Sequence, residues 1–303
     1  MKKSLVALAV LAASGAAFAQ SSVTLYGVVD VGLWDSSAAG VSAQMSGSGL
    51  MNNGTSRFGF RGTEDLGGGL KANFNMEAGF DPETGAGNFS GGNLFSRAAN
   101  MSLSGNFGTL RMGRTLTPSF YGVAAWELTG TANYSAVANQ FSFAGVGPRQ
   151  SSEFSYTTPK MGGFGATLGY VFKGDNATHA KTDLNVIYGM GPIAVGLSYN
   201  KTQHSEKNWA LGGKYDFGTF QVAASYQDPA TAKKGFTVGG SATLGPVVLT
   251  LDVARDTGSA VKSTDTVIEA KYALSKRTFA YGAALRDGSA SVTSYGMGIR
   301  HNF

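Results

Sequence analysis

Side chains alternate between apolar and polar with a period of two from about residue 23 to the end of the chain. That period belongs to extended strands, whose successive side chains point to opposite faces, and it excludes a helical fold. The closing segment 291–303 shows it most fully. Tyr295, Met297, Ile299 and Phe303 take one face, and Ser294, Gly296, Gly298, Arg300 and Asn302 the other. Leu70, Ala72, Phe74 and Met76 likewise alternate with Lys71, Asn73, Asn75 and Glu77. Segments 193–200, 220–227 and 279–286 repeat the pattern, with Phe279, Tyr281, Ala283 and Leu285 sharing one face of the last.

Glycine, proline and polar clusters divide the strands. Tight turns are predicted at 65–69, 105–108, 160–163, 191–192, 218–219, 245–246 and 275–277; in all but the last, Gly and Pro supply the reversing backbone angles. Seven hairpins give fourteen strands, and first and last strands at about 23–34 and 291–303 bring the number to sixteen. The intervening connections are longer: 36–55, 81–93, 117–150, 174–180, 203–206, 228–233, 256–263 and 288–290. Short turns at one rim and long loops at the other, joined by an even number of antiparallel strands, describe a transmembrane β-barrel. Lipid leaves no backbone group unpaired, so such a sheet must close, the last strand antiparallel to the first. A soluble β-sandwich also alternates but does not need aromatics at strand ends, where Phe107, Phe164, Tyr188, Trp209, Phe217, Phe220 and Tyr272 stand. The fold expected is all-β: a 16-stranded antiparallel transmembrane β-barrel with short periplasmic turns and long extracellular loops.

The amino end suits that address. Lys2 and Lys3, the apolar stretch 5–11 and Ala17-Phe18-Ala19 compose a secretory signal peptide over 1–19, leaving 20–303 as one barrel domain. No apolar run of about 18 residues follows, so no membrane-spanning helix is expected. With 0 Cys there is no disulfide framework, and nothing in the chain points to a cofactor or a metal centre. The charge of +5 is scattered along the chain, which does not suggest nucleic acid.

Several stretches resemble the general diffusion porins of Gram-negative bacteria, particularly their β-proteobacterial branch. They are Val23-Thr-Leu-Tyr-Gly27, Ser56-Arg-Phe-Gly-Phe-Arg-Gly-Thr-Glu-Asp-Leu66, Leu103-Ser-Gly-Asn-Phe-Gly-Thr109, the Gly113-Arg114 pair and Gly298-Ile-Arg-His-Asn-Phe303. The resemblance spans 20–303. It implies an outer-membrane homotrimer of water-filled pores in contact with lipid and lipopolysaccharide, passing small ions and hydrophilic solutes. It also implies that periplasmic chaperones and the barrel-assembly machinery recognise the last strand through its terminal Phe303.

A passive pore selects by diameter and by the charges at its narrowest point. The longest loop, 117–150, is the candidate for that constriction, and the resemblance implies that it folds into the barrel. By alternation Phe58 and Phe60 face lipid, so Arg57 and Arg61 face the lumen; Arg111 does so because Leu110 and Met112 take the opposite face. By resemblance Arg57, Arg97 and Arg149 fall on the family's basic cluster. Glu127, the single carboxylate of 117–150, falls on a position where relatives carry an acid. Several arginines against one carboxylate predict a preference for anions. Trp126, Phe120 and Tyr121 are expected to pack the loop on the wall. Subunit contacts are expected at Asp81 and Glu83 of the 81–93 loop and at Arg114.

Two other classes of function are weaker. Acyl hydrolysis needs a nucleophile beside a base, and His179, His204 and His301 stand in no such context. A sugar-specific channel would display aromatics on the lumen face, whereas most aromatics here fall on the face expected to meet lipid.

Overall fold

The computed structural model describes residues 22–87, 92–143, 147–176 and 178–303. The expected signal peptide, 1–19, lies outside the described residues. The first strands are β1 (Ser22–Ser36), β2 (Gln44–Ser46), β3 (Arg57–Gly67), β4 (Leu70–Gly79), β5 (Ala98–Gly105), β6 (Gly108–Leu116), β7 (Arg149–Thr157) and β8 (Phe164–Val171). Then come β9 (Lys181–Met190), β10 (Ile193–Thr202), β11 (Lys207–Asp216), β12 (Phe220–Asp228), β13 (Gly235–Leu244), β14 (Val247–Asp256), β15 (Thr264–Ala273), β16 (Thr278–Asp287) and β17 (Val292–Asn302). Setting aside the three-residue β2, sixteen strands form one wall in which every neighbour is antiparallel. All seven tight turns fall where they are predicted; the one at 275–277 has no Gly or Pro and is held by Ser275 Oγ, which accepts from Arg277 N at 3.2 Å and Thr278 N at 3.0 Å.

The wall closes through β1. Its first half pairs with β3, from Ser22↔Thr63 to Val28↔Arg57. Its second half pairs with β17, from Val28↔Asn302 to Ser36↔Ser294. Beyond Val28 part of the edge that β3 leaves is taken by β2, from Gly32↔Ser46 to Trp34↔Gln44, and in the gap between them Asp30 N donates to Ser56 Oγ at 2.9 Å. At the rim of short turns Phe303 completes the seam: its N–H donates to Gly27 O at 3.0 Å and its carbonyl accepts from Gly27 N at 3.1 Å. The Phe303 ring occupies the space that a Cβ at Gly27 would fill.

Large apolar residues face outward along the wall, among them Met297 (64 % exposed), Ile268 (59 %) and Leu25 (56 %). Water would make such a surface costly, and lipid makes it the favourable one. Aromatic pairs mark both rims. Phe164–Tyr188 and Phe217–Phe220 stand 4.6 and 4.5 Å apart beside the short turns, while Tyr170–Phe172 and Trp209–Tyr226 lie near the long-loop rim.

One strand reverses the rule. Phe279, Tyr281 and Leu285 of β16 point inward, where Tyr134 and Phe141 of the longest loop pack on them. The reason is that loop, which turns into the lumen and gives part of the inner wall an apolar partner. Among its described residues the loop contains two short helices that its sequence does not announce, α1 (Pro118–Ala124) and α2 (Ala136–Phe141). Thr117 caps α1 by accepting from Phe120 N, with Pro118 just inside, and Ser135 caps α2 by accepting from Ala138 N. Helices of 7 and 6 residues are not stable alone and form here because α1 packs on β9 to β11 and α2 on β14 and β15.

Candidate functional site

Between the inserted loop and the opposite wall lies a cavity of about 570 Å³. Gly130, Thr131, Ala132 and Asn133 line it from the loop. From the wall come Arg57 at the start of β3, Arg97 just ahead of β5, Arg149 at the start of β7 and Arg300 on β17. These four arginines are the only charged side chains that line it among the described residues.

Each guanidinium is held from behind. Arg57 Nη1 donates to Thr55 O at 2.9 Å and Arg149 Nε to Arg97 O at 3.0 Å. Arg300 Nη1 donates to Asn53 Oδ1 at 2.8 Å, and the group lies over the Phe279 ring at 5.8 Å. Glu77 of β4 is a nearby carboxylate. It accepts from Arg97 Nε at 2.7 Å, approaches Arg57 Nε at 3.6 Å and takes the Tyr26 hydroxyl at 3.0 Å. Neutral carbonyls and amides fix the remaining arginine contacts, and the buried Asp30, opposite Arg300 on β1, accepts from Gly54 N at 2.9 Å, so four positive charges line the space with two carboxylates, Glu77 and Asp30, set behind them.

Arg61 and Arg111 sit lower, on a second cavity of about 400 Å³ toward the rim of short turns, with Asn73, Asn75, Asn100 and Ser102. Arg61 stacks over Tyr26 at 5.0 Å, and Tyr121, half-exposed, faces this lower space. The five arginines named from sequence thus divide into three at the upper cavity and two beneath it. Arg97 escapes the alternation of β5 because it precedes the strand. Arg300 is the member that sequence reasoning did not place at this height. The closing register supplies the signal, since Arg300 lies opposite Asp30 and Arg57 opposite Val28, two residues apart on β1.

Glu127, expected at the constriction, does not reach it. It is 3 % exposed, and its carboxylate accepts from Thr129 Oγ1 at 2.5 Å, Thr131 N at 2.6 Å and Ser135 Oγ at 2.7 Å. Local donors of a tight loop outcompete distant arginines because they add no chain ordering beyond the turn itself. The acid knots 127–135 instead of facing the lumen.

The knotted segment is anchored to β15. Lys271 Nζ donates to Thr129 O at 2.7 Å and pairs with Glu269 at 3.0 Å. The Tyr134 hydroxyl donates to Glu269 Oε2 at 2.5 Å and accepts from Asn53 Nδ2 at 2.9 Å. Burial, then the adjoining Glu269 carboxylate, hold the Tyr134 hydroxyl far above the ordinary phenol range, so it remains a donor. Asn53 therefore touches both the loop anchor and Arg300. At the other end of the loop, Ser119 donates through N and Oγ to Asp183 Oδ1 at 2.8 and 2.6 Å, and Ser198 Oγ donates to Ser119 O at 2.7 Å. Trp126 is buried on the inner wall, and Phe120 packs on the same cluster.

The residues expected at subunit contacts, Asp81, Glu83 and Arg114, do not line this cavity. Asp81 accepts from Glu83 N and Thr84 Oγ1, both at 3.0 Å, and with Glu83 borders a cleft beside β2. Residues 88–91 of that loop are outside the described residues. Arg114 stands at the β6 bulge, donating to Ser96 O and to Ser151 Oγ.

A sequence model of Gram-negative porins matches residues 4–289. Outer membrane porin protein 32 of Delftia acidovorans is 38 % identical over 325 positions, an alignment covering 96 % of this chain and 91 % of that one. An outer membrane porin protein of Bordetella pertussis is 34 % identical over 267 positions, covering 74 % and 68 %. The solved structure of an anion-selective porin from Comamonas acidovorans superposes with a TM-score of 0.78 at 30 % identity, covering 94 % of this chain and 100 % of that one. Porin structures at 16 % identity share the fold, with a TM-score of 0.73. The chain belongs to the Gram-negative porin family: it is an outer-membrane porin, a passive channel whose wall encloses the arginine-lined space described above.

Proposed function

We propose that this porin prefers anions, and that Arg57, Arg97, Arg149 and Arg300 make the basic face of its constriction. The observation that carries this reading is the lining of the 570 Å³ cavity, in which every charged side chain is an arginine. An arginine face attracts anions into the narrow space and raises a barrier to cations, while Glu77 trims the field. Glu127, turned into its own loop, does not oppose it. A protein purified into planar bilayers should show a reversal potential of anionic sign in a salt gradient at about 0.1 M, where the Debye length is about 10 Å. A cationic sign would refute the reading. The solved anion-selective porin at 30 % identity is consistent with it.

The rest of the assembly follows the same reading. Residues 1–19 act as the cleaved signal peptide, giving a mature chain that begins at Gln20. Three copies assemble into a trimer, with Asp81, Glu83 and Arg114 as contact candidates. Chaperones and the barrel-assembly machinery take hold of the last strand. Deleting Phe303 removes both seam hydrogen bonds to Gly27 and the ring above it. The expected result is a several-fold loss of folded porin in outer membranes, with unchanged conductance of the molecules that do assemble. Wild-type yield of folded porin would count against an assembly role.

A further inference from the structure

Strands β9 and β10 end together at the long-loop rim, where the last ladder pair is Thr202↔Lys181. Pairing continues one step farther, because Gln203 N donates to Ala180 O at 2.8 Å. The next step brings His179 opposite His204, and their rings stand 5.5 Å apart at 87°. Both backbones are fixed by turns. His179 N donates to Asn176 O at 3.0 Å, and Asn176 Nδ2 returns a bond to His179 O at 2.9 Å. His204 sits at φ +66°, a left-handed conformation unusual for a residue with a side chain, and Ser205 N closes its turn on Thr202 O at 3.0 Å. His179 shares the parity of Lys181 and Asp183, the second of which binds α1 inside the barrel, so the pair lies on the pore side of the rim.

We propose that His179 and His204 form a two-histidine site for a transition-metal dication at the outer mouth of the pore. Imidazole nitrogens bind such ions at about 2.0–2.1 Å, so two rings on one tetrahedral ion have centres about 5 Å apart. The observed separation needs only ring rotation to reach that arrangement. Directly opposed positions on antiparallel neighbours, with Cβ atoms about 4.5–5.5 Å apart, hold both ligands without a further loop. Among the described residues no group of three or more His, Cys, Asp or Glu gathers, so water completes the coordination and exchange is fast. Affinity should rise from Zn²⁺ or Ni²⁺ to Cu²⁺, and protons should compete because the ligands must be neutral imidazoles. A bound ion would tie 173–180 to 203–206 and add positive charge where solutes enter.

The test is calorimetric titration of the untagged, detergent-solubilised porin with Cu²⁺ and, separately, Zn²⁺. The expected result is one saturable Cu²⁺ site per chain, weakened at least tenfold in His179→Ala and equally in His204→Ala. His301→Ala serves as control, since that ring lies at the opposite rim with Nδ1 2.8 Å from Thr278 Oγ1. Electrophoresis of unheated samples shows that each variant is folded. Absence of a saturable site, or wild-type affinity in either loop variant, would overturn the assignment.

Discussion

Changing Arg57, Arg97 and Arg149 together to glutamine should abolish the preference for anions in dilute salt. Four guanidinium groups now line the cavity, with Glu77 behind Arg57 and Arg97 and Asp30 opposite Arg300; the change removes three of the four positive charges and leaves Arg300 beside two carboxylates. A unit charge acts on an ion 4 Å away with about 1 kcal/mol in bulk water and about 4 kcal/mol at an effective dielectric of 20. Even the lower figure, applied with opposite sign to anions and cations, shifts their permeability ratio by more than tenfold. Screening supplies an internal check, because the Debye length shrinks from about 10 Å at 0.1 M to about 3 Å at 1 M. The difference between variant and parent should therefore narrow sharply at high salt. A graded series separates field from architecture: Arg57→Gln with Arg149→Gln keeps the Arg97–Glu77 pair at 2.7 Å and should lose only part of the preference. Arg61→Gln with Arg111→Gln, on the lower cavity, should have a smaller effect. An unchanged reversal potential in the triple variant would place the selecting field elsewhere in the lumen.

The wall is legible from sequence because its determinants are local. A strand such as 70–79 declares its faces by alternation, and a turn such as 191–192 declares itself by glycine and proline, whatever surrounds them. The lumen is less legible because its determinants are tertiary. Glu127 reads as a free loop acid until Thr129, Thr131 and Ser135 are seen folding around it. Phe279 and Tyr281 read like any lipid-facing pair, and only the inserted Tyr134 and Phe141 explain why they turn inward. Arg300 was visible as a lumen residue, but its height depends on the register with which β17 meets β1. The two helices of the loop carry capping residues at Thr117 and Ser135, yet their length is too short to stand out without the wall that supports them.

How closely the loop lies to the wall is set by two glycines, and one of them offers a large, clean effect on conductance. Gly196 of β10 meets Gly122 of α1 with no room for a Cβ, and Gly212 of β11 lies flat under Trp126, where a Cβ would stand 2.6 Å from Nε1. The indole is 1 % exposed, and its N–H finds no acceptor among the described residues, so packing alone holds it. Gly212→Val cannot be absorbed by a flexible chain end, because the obstructing atoms belong to a rigid ring; overpacking of this kind typically costs about 1–3 kcal/mol. The ring must lift, and α1 and the 127–135 knot travel with it toward the arginine-lined cavity. Single-channel conductance should fall several-fold, and liposome swelling should show a lower size limit for uncharged solutes. Gly213→Ala is the matched control: its side chain points out of the barrel, where a Cβ meets Val195 Cγ2 at an ordinary 3.5 Å. Wild-type conductance in Gly212→Val would mean that Trp126 does not set the loop's distance from the wall. A rise in conductance would mean that the displaced loop leaves the barrel altogether, so that β15 anchoring through Lys271 and Glu269 is weaker than the Trp126 contact.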